Sequence, residues 1–574
     1  MSRTESCGIC GGTLGMRHRG GNRTPAPDQL SPTNHPLGEY ADILKCKECA
    51  TLQQPSLLEH GDLAGLYREM RDDAYLEEEG GRRRTACRLL DLVGKQVESG
   101  RLLDVGCGHG LLLDEAQKRG YDTLGLEVSS ASAAFGREAF NLDIREHTAE
   151  ELADEERFDV ITLIDVLEHL SDPLGTIARC HRLLAPNGVL CVVTPDPSSR
   201  TARLAGRRWW ALVPAHSYLI PRLTLLELLT ARGLVIAADE PLVRSFSLGY
   251  WLAGLTERSG RLPLLYSKTL KALLRWATVS MSLGDERVVV ASKVETLAPP
   301  RRLVDDRGRE PKVHVVLPAY NAASTIGFVA ETLPTAAADR ALLVDDCSPD
   351  ETTPIALREG FEVIRHPANR GYGANQKTCY VRAALDGADI VVMVHADHQY
   401  DPGLVGEMAK PIAEGCADVV IGSRLLGDEA IAGGMPRWKW IGNRFLTAIE
   451  NYTFRRSHSE YHTGYRAFSV EFLRTIPFLR NSDNFVFDQE IFAQITAQGG
   501  RVDELAIPTR YFLEASSVSF FKSVEYGLQT LRVLIRFRVD TRRPRWPLLR
   551  RPAVDLEPEL DKPQTPRLST GLPR

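Results

Sequence analysis

The run Ile390-Val391-Val392-Met393-Val394 passes without a break into His395-Ala396-Asp397-His398-Gln399-Tyr400-Asp401-Pro402. A short apolar run that stops abruptly at acids, imidazoles and an amide reads as a buried strand ending at a ligand edge. Open α/β sheets bind their ligands at that carboxyl edge. Oxygen-bearing side chains there suit a hard divalent ion such as Mg2+ or Mn2+, and such an ion suits a diphosphate. Similar strands recur elsewhere: Arg101-Leu102-Leu103-Asp104-Val105, Val313-His314-Val315-Val316-Leu317 and Ala341-Leu342-Leu343-Val344. Strands alternating with helices imply parallel sheets, so the fold class is α/β.

The chain has 574 residues, enough for three or four domains. The expected division is a zinc-binding knuckle at 1–60, a Rossmann-like domain with a C-terminal cap at 61–295, and a Pro- and charge-rich linker at 296–311. A second α/β domain at 312–540 and a disordered tail at 541–574 follow. A net charge of −5 gives no reason to expect a nucleic-acid partner. The first ten residues lack the apolar stretch of a signal peptide, and no run approaches a membrane span. The expected location is cytoplasmic, with the inner face of the membrane as the alternative. Of 11 cysteines, Cys7, Cys10, Cys46 and Cys49 form two CxxC pairs, which together complete a tetrahedral four-cysteine site for structural Zn2+. Such a site leaves no open position for chemistry.

Gly106-Cys107-Gly108-His109-Gly110 opens a helix, and glycines there let a ligand approach the backbone and the free N–H groups of the helix start. The next strand ends in Glu127, placed for ribose hydroxyls. These signals alone fit NAD and S-adenosylmethionine equally. The ordered set LLDVGCGHG, GLEVS, FDVITLIDVLEHL and LLAPNG over about 100–195 resembles class I S-adenosylmethionine-dependent methyltransferases. The resemblance implies that Asp104 and the turn Gly106, Gly108, Gly110 hold the methionine part, that Glu127 holds the ribose, and that Asp165 lies beside the cofactor. His147-Thr148 stands where relatives often carry an acid for adenine. The knuckles, with Arg208-Trp209-Trp210 and His216-Ser217-Tyr218, resemble a subset that includes C-methyltransferases of nucleotide-bound sugars. If the methyl acceptor needs a base, His169, His216 and Tyr218 are the candidates.

In the second half, VVLPAYNAASTI, LLVDDCSPD, NRGYGAN, HADHQYDP, GSR, HTGYR and FDQE resemble family 2 glycosyltransferases of the GT-A fold, over about 312–515. By motif they are nearest the dolichyl- or polyprenyl-phosphate sugar transferases. The resemblance implies that Pro318, Tyr320, Asp345 and Asp346 hold the nucleoside of a UDP- or GDP-sugar donor, and that Asp397 and Gln399 hold Mg2+ or Mn2+ and the diphosphate. Arg370 is a further nucleotide-sugar-binding candidate, and Arg424 and Arg510 are suited to phosphate, since guanidinium pairs with phosphate bidentately. His395 departs from the family by standing where the DxD pattern begins. A hydroxyl acceptor would need a base, for which Asp488 and Glu490 are the candidates. A lipid-phosphate acceptor would not, because it is already ionised near neutral pH. Ser523 to Val539 reads as a basic amphipathic helix, which can pack on the core or lie on an anionic membrane.

Together these readings describe a methyltransferase fused to an inverting glycosyltransferase, working on a surface glycan or glycolipid. The rival readings are a glycosyltransferase with a non-catalytic S-adenosylmethionine-binding scaffold, an RNA methyltransferase, and a sensor of nucleotide sugars. Six Lys/Arg against six Asp/Glu in residues 1–60 argue against the RNA reading.

Overall fold

The computed structural model describes residues 6–21, 40–55, 68, 73–252, 274, 277–297, 311–334, 336–426, 435–508, 520–540, 546–554 and 556. The chain divides into two compact units, 1–293 with 564–574, and 294–563. Most of the expected linker, 298–310, lies outside the described residues.

In the first unit, β1 (Leu14–His18), β2 (Ile43–Cys46) and β3 (Leu52–Gln53) carry the knuckle. They are followed by helix α1 (Glu79–Gly94), β4 (Gly100–Val105), helix α2 (Leu111–Gln117), β5 (Tyr121–Leu126), β6 (Ile144–Arg145), β7 (Phe158–Ile164) and β8 (Leu184–Pro195). Then come β9 (Tyr218–Leu219), β10 (Val235–Pro241), β11 (Arg244–Ser247), β12 (Thr278–Met281) and β13 (Glu286–Ser292). The main sheet has the order β10-β13-β8-β7-β4-β5-β6. β4 to β8 run parallel, while β13 runs against both β8 and β10. Chain direction across the sheet reverses between β4 and β7, which is the switch point where such sheets open a crevice. Knuckle strands β1-β2-β3 complete a four-stranded sheet with β9, so this lobe is paired to the methyltransferase-like body rather than standing apart.

In the second unit, β14 (Val313–Ala319), β15 (Arg340–Asp345), β16 (Glu362–Arg365), helix α3 (Tyr372–Leu385), β17 (Ile390–Met393) and β18 (Val419–Ser423) come first. Helix α4 (Arg437–Phe454), β19 (Arg466–Ser469), helix α5 (Phe487–Ala497), β20 (Val502–Ala506) and helix α6 (Phe520–Asp540) complete it. The sheet order is β16-β15-β14-β17-β19-β18-β20, with β19 alone antiparallel to its neighbours. β17 is buried along its whole length and β14 nearly so, as expected for parallel strands covered on both faces. Both units are α/β: a Rossmann-like body with its knuckle, then a GT-A-like body.

Part of the expected disordered tail is ordered. Trp546 and Leu548 are buried, Trp546 N donates to Asp540 Oδ1, and Arg480 Nη1 donates to the Pro547 carbonyl. Two large apolar side chains close to a helix end recover burial free energy that proline content alone does not reveal. Among the described residues, no helix is long and apolar enough to cross a membrane.

Candidate active sites

The carboxyl ends of β4, β5 and β7 bring Asp104, the glycine turn, Glu127 and Asp165 to one crevice. Gly106, Gly108 and Gly110 all have positive φ. At Gly106 a Cβ would collide with Val166, whereas at Gly108 it would meet nothing within 4 Å, so the turn is tight on one side and open on the other. Glu127 accepts from Gly108 N (2.8 Å) and Ser129 N (2.7 Å), which ties the second strand end to the turn. Asp104 accepts from Thr162 Oγ1 at 2.6 Å. Burial pushes its carboxyl up to about 7, against the lowering effect of that hydrogen bond. Asp165 has φ 55° and is held by Arg244 Nη2 at 2.7 and 2.6 Å. The same Nη2 reaches Glu286. His147 and Thr148 lie at an exposed turn, where Thr148 and Glu151 form a capping box.

Four contributors are not among the expected site residues. Tyr75 stacks on His109 at 4.9 Å, and the Arg82 guanidinium lies 3.7 Å from the Tyr75 ring centroid, so the charged stretch 77–84 is in part packed on this crevice. Arg244 and Glu286 come from β11 and β13, neither of which has a signature. Glu168 precedes His169 in the DVLEHL stretch and is buried.

The His169 and His216 rings meet edge to face at 4.7 Å. Each ring's Nδ1 lies within hydrogen-bond distance of a backbone carbonyl, Ala215 O at 3.1 Å and Ala211 O at 2.8 Å. If each Nδ1 donates there, Nε2 is the acceptor nitrogen of the neutral ring. Glu168 completes a group whose ligand atoms lie within 4.8 Å of one another. Burial, then the charge of Asp165, holds the Glu168 carboxyl well above its usual range. Trp209 and Trp210 both donate to Asp285 Oδ2 at 2.8 Å, which fixes the pair inside the cap. Tyr218 is buried at the Gly8 turn, on the knuckle side.

The four knuckle thiols converge, with Cys7 Sγ 3.6 Å from Cys49 Sγ and Cys10 Sγ 3.4 Å from Cys46 Sγ. Hydrogen bonding inside the cluster drives the Cys7 and Cys10 thiols up and those of Cys46 and Cys49 down. Four thiolates this close need a cation to balance them.

In the second unit, Asp345 accepts from Ser348 N and Thr353 Oγ1, and Asp346 from the amides of Arg370 and Gly371 and pairs with His366 Nδ1. The two acids therefore order the loop at the carboxyl end of β15, with Pro318 beside them and Tyr320 exposed. His398 adopts φ 55° and Gln399 N donates to Asp397 Oδ1 at 3.1 Å, which puts Asp397 and Gln399 on one turn. His395 Nε2 lies 3.1 Å from Tyr372 Oη, and Tyr372 Oη lies 3.3 Å from Asp488 Oδ2. Burial lowers the basicity of His395. Asp488 also accepts from Arg466 Nη1 (2.8 Å) and Gln376 Nε2 (3.0 Å). A Cβ at Gly464 would strike His395 Nε2, so the Gly of HTGYR is what admits the imidazole.

Two expected residues already have partners inside the protein. Arg424 lies on buried Glu460 and the His462 carbonyl, which balance its charge. Glu490 accepts from Ser482 N at 2.6 Å and stands two residues from Asp488, off the face that carries Asp488. Arg510 lies outside the described residues.

Family comparisons match a segment of each unit. The methyltransferase domain family matches residues 79–238, and the glycosyl transferase family 2 matches residues 314–476. The chain therefore belongs to the transferases, and it carries a methyltransferase domain and a family 2 glycosyltransferase domain. An uncharacterised protein of Methanocaldococcus jannaschii is 32% identical over 200 residues, 35% of this chain and 82% of its own length. A ubiquinone biosynthesis O-methyltransferase of Alkalilimnicola ehrlichii is 35% identical over 20% of this chain and 49% of its own. The chain thus spans about half the length of that relative. Among solved structures, glucosyl-3-phosphoglycerate synthase from Mycobacterium tuberculosis is 17% identical with a TM-score of 0.33, covering 40% of this chain and 81% of that one. A methyltransferase-like structure from Bacillus halodurans is 15% identical with a TM-score of 0.27, covering 37% and 99%.

Proposed function

We propose that the chain is a bifunctional enzyme that methylates one acceptor with S-adenosylmethionine and transfers a sugar from a UDP- or GDP-sugar with inversion, in surface glycan or glycolipid synthesis. The observation that carries the reading is the turn holding Asp397 and Gln399 beside His395, Tyr372 and the Asp488–Arg466 pair.

A divalent ion bound there would offset the charge of the departing diphosphate. Asp397 and Gln399 would supply oxygen to it, and His395 would supply nitrogen. Asp488, paired with Arg466, is an acceptor only, so Tyr372 satisfies both its contacts by donating to Asp488 and accepting from His395 Nε2–H. That leaves Nδ1 as the lone-pair nitrogen of the ring. One nitrogen among oxygen donors favours Mn2+ over Mg2+. Tyr372→Phe is expected to weaken Mn2+ binding by about tenfold, because such outer hydrogen bonds orient ligands. Mn2+ titration followed by electron paramagnetic resonance reads this directly, and unchanged binding would refute the relay.

Neither candidate base is well placed to take a proton: Asp488 already accepts from three side chains, and Glu490 serves Ser482. This favours a phosphate acceptor, which needs no base.

In the first unit the open side of Gly108, with Asp104 and Glu127, fits S-adenosylmethionine, which supplies an electrophilic methyl group. Asp104, the glycine turn and Glu127 would bind it, while His169 and His216 would orient or deprotonate the acceptor. Because Asp104 titrates near 7, S-adenosylmethionine affinity is expected to rise as pH increases through that value. A neutral carboxyl cannot attract the cofactor's ammonium. Asp104→Asn should bind more weakly and lose that pH dependence, as calorimetry across pH 6 to 8 would show. The four-cysteine cluster fits structural Zn2+: a tetrahedron with Zn–S near 2.3 Å has edges of about 3.8 Å, close to the Sγ separations.

The test of the whole reading is calorimetric titration with UDP-sugars and GDP-sugars plus Mn2+, and separately with S-adenosylmethionine. Sugar-nucleotide binding without S-adenosylmethionine binding would leave the first unit as a scaffold.

A further inference from the structure

Helices α4 and α6 of the second unit expose apolar side chains that their own packing does not use. On α4, Glu450, Thr447 and Phe454 face the core, and Trp438, Ile441, Phe445 and Tyr452 face away from it. Their spacing of three, four and seven residues keeps them on one helical face. Ile441, Phe445 and Tyr452 are 61%, 62% and 76% exposed. Helix α6 has two apolar stripes. Val533, Leu534 and Phe537 are buried, while Val524, Leu528, Ile535 and Val539 lie within about 60° of one another on the opposite side and are exposed.

The two exposed stripes are joined. Gly527 of α6 lies against Leu446 of α4. Arg538 of α6 donates to the Tyr452 carbonyl, and its guanidinium sits 4.7 Å from the Tyr452 ring. Charge around them is of one sign. Arg437 and Arg444 of α4, Arg455 at its end, and Arg532 and Arg536 of α6 are exposed, and Lys439 and Arg538 are half-buried. Against these, Glu450 is buried, and Glu525 is the one exposed acid on the described part of either helix. A run of large apolar side chains this exposed marks an interaction site. Aromatic and aliphatic residues flanked by arginines are the composition of helices that lie in a bilayer interface.

We infer that the α4–α6 face docks the protein onto an anionic lipid surface. The stripe from Trp438 to Tyr452 is about 21 Å long at 1.5 Å per residue, so α4 would lie in the surface plane. The face also connects to the transfer site. Glu450 Oε2 of α4 lies 3.1 Å from His462 Nε2, and Tyr526 of α6 contacts His462 and Gln489. His462 opens the stretch that supplies Arg466 to Asp488. The inner side of the two helices thus holds His462 while their outer side is the docking face. The inference stands on the surface itself, and it holds whether or not the sugar acceptor is a lipid phosphate.

The experiment is flotation of the full chain with vesicles of phosphatidylcholine alone and of phosphatidylcholine with phosphatidylglycerol, for wild type and for Ile441→Glu with Phe445→Glu. These positions are solvent-facing, so the fold should persist, and circular dichroism and UDP titration check that it does. Expected is binding to the anionic vesicles that weakens with salt and falls about tenfold or more in the double variant, with UDP binding unchanged. Flotation that is absent, or equal for wild type and variant, overturns the inference. So does a dimer that the variant dissolves without any vesicle binding, since a second copy would then cover the face. Failure of UDP binding with intact flotation would strike the donor proposal and leave this one standing.

Discussion

Asp397→Ala is expected to cut metal-dependent UDP binding and sugar transfer by on the order of 10²–10³-fold, the usual loss when a charge-stabilising group is removed. The reason lies in the local backbone. Asp397 ends the turn after β17, and its Oδ1 accepts from Gln399 N across the positive φ of His398. Removing the carboxylate therefore takes away one proposed metal ligand and loosens the placement of the other, Gln399. His395 cannot compensate, since Tyr372 orients it and one imidazole alone binds a hard ion poorly. The measurement is UDP titration with Mn2+, with S-adenosylmethionine titration as the control for folding. Retained, metal-dependent UDP affinity in the variant would move the donor site elsewhere.

What made this site legible was the strand end. Apolar runs that stop at acids or glycines mark the carboxyl edges of both sheets, and Asp104, Glu127, Asp165, Asp345, Asp346 and Asp397 all sit there. What stayed hidden depends on contacts between distant segments. Asp165 pairs with Arg244, 79 residues away, from a strand with no signature. Arg424 follows the GSR pattern, and only the fold brings Glu460 to it. Tyr75 belongs to no motif, and only the fold brings Arg82 over its ring and His109 against it. The sequence of α6 shows amphipathicity but carries two apolar stripes. Periodicity alone cannot say which one the core takes, so packing and exposure looked like alternatives when the helix does both.

Metal removal from the knuckle should damage methyl transfer far more than cofactor binding. Structural zinc contributes on the order of 10 kcal/mol to the folding of such lobes, and here the lobe is built into the segment that carries His216, the proposed acceptor side. β3 pairs with β9, Gln54 Nε2 donates to the carbonyls of Val213 and His216, and Thr224 Oγ1 donates to the Cys49 carbonyl. Without a cation the four thiols cannot all ionise at their spacing. The turns at Cys7–Cys10 and Cys46–Cys49 should then open, and the anchors of the His216 segment go with them. Asp104, the glycine turn and Glu127 belong to β4 and β5 and make none of these contacts. Cys46→Ser, or chelation, is thus expected to lower methyl transfer by about 10²-fold, the scale of a misplaced positioning group, while S-adenosylmethionine affinity changes little. Metal analysis, calorimetry with S-adenosylmethionine and single-turnover methylation separate the terms. Equal loss of binding and turnover would mean that the knuckle supports the whole unit rather than the acceptor side.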